Sequence, residues 1–117
     1  MVKILIVDDS AFARSNLRRT LMGAGYDVVE ASSGQQAIEQ VKLDAPDIVT
    51  LDLLMPGLSG LETLKLMKPI IPMTKFIIVT ADVQSLTREE LMKEGADAFI
   101  NKPVTNTVLI ETVKKLI

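Results

Sequence analysis

Lys3-Ile4-Leu5-Ile6-Val7-Asp8-Asp9-Ser10 is the stretch that decides the fold. Its apolar run, 4–7, has no polar side, as expected of a strand covered on both faces, and it stops abruptly at two carboxylates and a hydroxyl. Four more short apolar runs follow at 28–31, 48–51, 76–79 and 98–100, most of them rich in Ile and Val. The intervening segments carry helical spacing. Ala13, Leu17 and Leu21 share one face, with Arg14 and Arg18 off it. Ala37, Ile38 and Val41 form a second stripe, and Leu61, Leu64 and Met67 a third. A short fourth helix lies around Leu91 and ends at Gly95, and the last runs through Leu109, Val113 and Leu116. Gly23 and Gly25 close the first helix. Ala45-Pro46-Asp47 forms the loop before the third strand, and Pro69 with Pro72 bracket the connection into the fourth. This alternation predicts an α/β domain, a doubly wound five-stranded parallel sheet with helices on both faces. Right-handed crossovers leave 2-1-3-4-5 as the expected strand order, with a switch point between strands one and three.

At 117 residues the chain is long enough for one packed core, so 1–117 is read as a single domain. Its 48% hydrophobic and 24% charged composition excludes intrinsic disorder. Thirteen Lys and Arg against fifteen Asp and Glu give a net charge of −2, too acidic for non-specific nucleic-acid binding. With no Cys there are no disulfides, thiolate metal sites or cysteine nucleophiles; with no His there are no His-containing triads or imidazole ligands. Any metal site must therefore be built from oxygen, which points to Mg²⁺, Mn²⁺ or Ca²⁺. The longest uncharged stretch, 53–61, is far short of the ~20 residues of a spanning helix, and the first apolar run is too short for a signal peptide. A cytoplasmic protein with no membrane partner is expected.

In such a sheet, ligands bind beyond the carboxyl ends of the strands at the switch point. Strand one is followed by Asp8-Asp9-Ser10 and strand three by Asp52. Strand four is followed by Thr80 and Ala81, and strand five by Asn101, Lys102 and Pro103. Two carboxylates ~4 Å apart repel by roughly 1 kcal/mol in water and 4 kcal/mol at an effective dielectric of 20. Three in one pocket call for a cation, and Lys102 alone is not enough. A divalent hard cation, Mg²⁺, would balance them and bring in phosphate oxygens. A carboxylate beside it could attack phosphorus to give an acyl phosphate, with Lys102 and the Thr80 hydroxyl binding the transferred oxygens. Taken singly, these acids read more plainly as caps, a role open to Asp9 or Ser10. The joint pattern at four strand ends reverses that balance.

The pair Asp8-Asp9, the run Asp52-Leu53-Leu54-Met55-Pro56-Gly57-Leu58-Ser59-Gly60, the pair Thr80-Ala81 and the pair Lys102-Pro103 together resemble the response-regulator receiver domain of two-component signalling, over the whole chain. The resemblance implies a flavodoxin-like (βα)₅ three-layer sandwich with Asp52 as the phosphoacceptor. Asp9, Asp52 and the main-chain carbonyl of Leu54 would bind Mg²⁺ (or Mn²⁺) directly, and Asp8 through water. Thr80, Lys102 and the main-chain amide of Ala81 would contact the phosphoryl group. Thr80 and Phe99 would form the switch, and the Lys102–Pro103 peptide would be cis. A sensor histidine kinase would be the phosphodonor, making this a signalling domain that catalyses its own phosphorylation and dephosphorylation. Its protein target would dock on the fourth helix, fifth strand and fifth helix, roughly 85–95, 98–100 and 105–117. A monomer is expected, with weak dimerisation on phosphorylation. Leu54 and Asp82 depart from the commonest pattern at positions that tune the phosphoryl lifetime, and Val104 stands where an aromatic is frequent.

Rival readings fare worse. A flavin carrier of the same topology needs a hydroxyl- and glycine-rich phosphate loop after strand one, where Asp8-Asp9 would repel the phosphate. A phosphohydrolase of the haloacid-dehalogenase type needs an Asp-x-Asp run there, and Asp8-Asp9-Ser10 is not one. Gly23-Ala24-Gly25 lies at a helix end and lacks the third glycine of a dinucleotide site. Arg14, Arg18 and Arg19 could suggest DNA, but read better as a solvated helix face. A stand-alone chemotaxis-type regulator is expected; the alternative is a receiver domain excised from a longer transcriptional regulator.

Overall fold

The computed structural model describes residues 1–81 and 88–117. Among these residues, strands and helices alternate as β1 (Lys3–Val7), α1 (Ala11–Gly23), β2 (Asp27–Ala31), α2 (Gly34–Leu43), β3 (Ile48–Leu51), α3 (Gly60–Ile70), β4 (Lys75–Thr80), α4 (Arg88–Lys93), β5 (Ala98–Asn101) and α5 (Asn106–Leu116). All strands are parallel, in the order β2-β1-β3-β4-β5. The expected architecture is thus the observed one. Position 82 and the first part of the expected fourth helix, 85–87, lie outside the described residues.

The sheet is apolar on both faces because successive side chains alternate between two cores. Ile4, Ile6, Ile48, Ile77 and Val79 pack with Leu17 and Leu21 of α1 and Leu109 and Val113 of α5. Leu5, Val7, Val49, Leu51, Phe76 and Ile78 pack on the opposite face with Ala37, Val41, Leu64, Met67 and Leu91 of α2, α3 and α4. Hydroxyl caps start four of the helices. Ser10, Ser33, Ser59 and Thr105 each accept the amide of the residue three further on, and Glu62 returns a bond to the Ser59 amide as a capping box. Each such cap contributes about 1 kcal/mol.

Several boundaries differ from the sequence reading, three of them at residues singled out there. Pro69, expected in the connection, lies inside α3, which runs on to Ile70. At the next-to-last position of the helix its ring removes a single backbone bond, and the Ile71 amide still reaches the Met67 carbonyl at 2.9 Å. Thr80 and Asn101, expected just beyond their strands, are the last residues of β4 and β5 and stand opposite each other in the ladder. Parallel pairing holds both in extended backbone despite their polar side chains.

Candidate functional site

The switch point does place the aspartates together. Val7 of β1 stands opposite Leu51 of β3, so the next residues, Asp8 and Asp52, emerge side by side. Their backbones extend the ladder by one step: the Asp52 amide donates to the Val7 carbonyl at 3.1 Å and the Asp8 amide to the Ala31 carbonyl at 3.2 Å. Gly60, at the start of α3, lies against this loop so closely that a Cβ there would come within 2.3 Å of the Asp52 carbonyl oxygen. Only glycine lets the helix sit at that distance.

Asp8 and Asp52 are buried, Asp9 is exposed, and one carboxylate oxygen from each lies within 4.8 Å of the other two. The two buried carboxylates are held identically. Oδ1 of Asp8 accepts the Ser10 amide at 2.9 Å, and Oδ1 of Asp52 accepts the Leu54 amide at 3.1 Å, two Asx-type turns. Oδ2 of each accepts from the Lys102 ammonium, at 2.8 Å from Asp8 and 3.0 Å from Asp52. Lys102 is positioned by β5 and by its own amide, which donates to the Thr80 carbonyl at 2.9 Å, and the Lys102–Pro103 peptide is cis. Burial is the largest single influence on the Lys102 ammonium and lowers its pKa, but the bonds and charges of Asp52 and Asp8 together outweigh it and hold the group above the ordinary lysine value.

One ammonium among three carboxylates leaves two negative charges unbalanced in a partly buried pocket. The donor set is all oxygen, and Asp8 and Asp52 retain lone pairs beyond those that accept hydrogen bonds. An all-oxygen donor set gathered within 4.8 Å fits a hard divalent cation such as Mg²⁺ or Mn²⁺.

Thr80 closes β4 and is fully buried. Phe99 of β5 stands opposite Ile78 and packs on the same core face as Ile78, Leu91 and Ala96. Thr80, two residues beyond Ile78, points to that face too, so it and Phe99 are diagonal neighbours. The Arg88 guanidinium of α4 lies 5.3 Å from the Phe99 ring centroid. Ala81 and Lys102 also wall a cavity of about 500 Å³ between α1 and α5.

Three features escaped the sequence reading. Phe12, 78% exposed and three residues after Asp9, and Leu54, 55% exposed and two residues after Asp52, are large apolar side chains left in solvent. Arg14 is not on a solvated face. Its side chain is turned inward, donating to the Asp8 carbonyl at 2.6 Å and to Glu30 at 3.1 Å. Glu30, in β2, also accepts from Arg18 at 2.7 Å. No periodicity could reveal this, since the partners are set by which strand lies beside β1.

The family model of the response regulator receiver domain matches residues 4–114. The chain is 39% identical to the chemotaxis protein CheY of Thermotoga maritima over 115 residues, covering 97% of this chain and 96% of that one. It is 38% identical to CheY of Bacillus subtilis, covering 97% and 95%. The crystal structure of Vibrio cholerae chemotaxis protein CheY4 superposes with a TM-score of 0.92 at 28% identity, covering 100% of this chain and 99% of that one.

Proposed function

The chain belongs to the response regulator receiver family, and from that premise we propose that it takes a phosphoryl group onto Asp52 with Mg²⁺ and passes the signal on through α4, β5 and α5. Receiver domains of this family work between histidine kinases and downstream targets. The observation that carries the proposal is the trio Asp8, Asp9 and Asp52, two of them bridged by Lys102. The bound cation would supply charge neutralisation and a fixed seat for the phosphoryl oxygens. Asp9, Asp52 and the Leu54 carbonyl would hold it directly, and Asp8 through water.

An Asp52 carboxylate oxygen attacks phosphorus. The new O–P bond forms as the donor's P–N bond breaks, and the leaving imidazole keeps the electron pair. In that transfer Lys102 moves from the carboxylates to the phosphoryl oxygens, and the Ala81 amide and Thr80 hydroxyl donate to them. As Thr80 turns toward the phosphoryl group, Phe99 fills the space beneath α4, and the face formed by α4, β5 and α5 changes. The exposed side chain of Leu54, whose amide is bonded to the Asp52 carboxylate, gives an approaching kinase an apolar contact beside the acceptor. The likeness to CheY proteins supports a chemotaxis-type regulator, working as one domain over 1–117, monomeric and cytoplasmic. Among the described residues no helix is long and apolar enough to cross a membrane.

Acetyl phosphate with Mg²⁺ should raise the intact mass by one phosphoryl group, and EDTA or Asp52→Asn should abolish the increase. Modification of Asp52→Asn at the same site would overturn the assignment. For the switch, Thr80→Ala should still accept the group. Beryllofluoride with Mg²⁺ should then shift NMR signals near the acids only, whereas in the parent the shifts reach Phe99 and α4. A parental pattern of distant shifts in Thr80→Ala would remove Thr80 from the switch.

A further inference from the structure

We propose that Arg14, held by Glu30, is a positioning residue that sets the affinity of the carboxylate cluster for its divalent cation; the inference rests on the metal reading above. Arg14 lies one turn into α1, where the positive end of the helix dipole disfavours a cation. Even so, only 16% of its side chain is exposed. Its guanidinium bridges two acceptors on different elements, the Asp8 carbonyl at 2.6 Å and the Glu30 carboxylate at 3.1 Å. Glu30 is itself fixed: its second carboxylate oxygen takes Arg18 at 2.7 Å, and its carbonyl takes the Gln40 side chain of α2 at 2.9 Å. A locally unfavourable residue anchored from three elements has a role beyond helix formation.

The role follows from which carbonyl Arg14 holds. The Asp8 carbonyl belongs to the planar peptide unit that joins Asp8 to Asp9, so fixing that oxygen fixes the plane and the direction in which Asp9 leaves it. The other polar groups of Asp8 are already anchored, its amide on Ala31, one carboxylate oxygen on the Ser10 amide and the other on Lys102. Arg14 completes the set. Asp9, exposed at the outer side of the cluster, takes its placement from this peptide plane. A guanidinium fork suits two separate acceptors; an ammonium is a point charge on a flexible stem and does not.

Geometry and charge predict opposite signs. If Arg14 acted only as a nearby positive charge, its removal would tighten the binding of another cation. If it positions Asp9, its removal loosens that binding.

The test is a Mg²⁺ titration of the parent and its variants followed by amide chemical shifts, with melting temperatures measured in EDTA. Arg14→Gln and Arg14→Lys should each raise the Mg²⁺ Kd about tenfold, as the loss of an outer partner of a metal ligand does. Phosphorylation by acetyl phosphate at saturating Mg²⁺ should stay close to the parental rate. Glu30→Gln should raise the Kd by a smaller factor. Arg18→Gln, which touches the same Glu30 but not Asp8, should keep the parental Kd and serves as the control for a general loosening. If Arg14→Gln does not fold, Arg14→Lys carries the test. Parental or tighter binding by the Arg14 variants overturns the inference alone, as does equal weakening in Arg18→Gln. A parent that binds no Mg²⁺ overturns the metal reading and this inference with it.

Discussion

Aspartates stand at both ends of the sheet, and the two ends use them differently. At the amino-terminal end three of them are matched to separate groups. Asp47 accepts the Lys3 amide at 2.8 Å, Asp97 accepts the Phe76 amide at 2.8 Å, and Asp44 pairs with the Lys3 ammonium. These carboxylates satisfy the first amides of strands and neutralise a lysine. At the carboxyl-terminal end Asp8, Asp9 and Asp52 converge within 4.8 Å and share one ammonium. An aspartate's identity says little about its work. Whether its charge is matched locally says much more, and the unmatched end is the one to which the proposed function assigns a divalent cation and a phosphoryl group.

The largest test of this contrast is Lys102→Met without metal. The buried Asp8 and Asp52 carboxylates would then lose the ammonium that both contact. Breaking a buried pair on one side costs several kcal/mol; with Lys102 still a quarter exposed, roughly 2–4 kcal/mol of unfolding free energy should go, read by urea denaturation. Mg²⁺ should restore part of the loss, because it binds only the folded arrangement and stabilises it by mass action, by about 2.7 kcal/mol at a hundredfold excess over Kd. A variant as stable as the parent in EDTA would mean that the acids are not held in opposition to one another.

A change of opposite sign, and smaller, is expected when a carboxylate is neutralised. Asp52→Asn keeps the shape of the side chain, leaves Lys102 on Asp8 and relieves repulsion in a pocket where Asp52 is almost fully buried. Metal-free stability should rise by about 1–2 kcal/mol, and the gain on adding Mg²⁺ should largely vanish. Asp9→Asn should act in the same direction with less force, since Asp9 is exposed. Lower stability in both variants would show that the hydrogen bonds of these acids outweigh their mutual repulsion.

The amino-acid order made the carboxyl-terminal end of the sheet legible and hid part of what supports it. Apolar runs ending in Asp8-Asp9, Asp52 and Lys102-Pro103 expose strands and site together, because a parallel sheet brings every strand's carboxyl end to one edge. Gly95 reads as a helix stop and does adopt a left-handed φ of 114°. The Arg14–Glu30 contact could not be read the same way. Its members are sixteen positions apart and meet only because β2 lies beside β1, and a helical projection assigns Arg14 to solvent. Pro69 misled for a different reason, since its penalty depends on how many backbone bonds remain to be lost, and near the end of α3 few do.

The smallest expected effect belongs to the amino-terminal end and is the control that gives the others meaning. Lys3 and Lys102 both have ammonium groups held above the ordinary lysine value: Lys3 chiefly by its hydrogen bond to Asp44, Lys102 by Asp8 and Asp52 against the opposing pull of burial. A raised folded-state pKa stabilises the fold below the unfolded value of 10.5, and that contribution is lost as pH climbs through the folded value. The direction is therefore the same at both ends; the size is not. The Lys3 side chain is about as exposed as that of Lys102, but its partner Asp44 is 65% exposed whereas Asp8 and Asp52 are buried; screening and side-chain entropy cancel most of such a pair's attraction, so Lys3→Met should leave the melting temperature and its alkaline fall as they are in the parent. Lys102→Met should flatten the alkaline fall, because the group whose deprotonation drives it is gone. Melting curves of the three proteins from pH 8 to 11, in EDTA and at two salt concentrations, separate the cases. Equal flattening by the two variants would mean that both ends of the sheet hold their lysines alike, and the distinction between matched and pooled aspartates would lose its energetic basis.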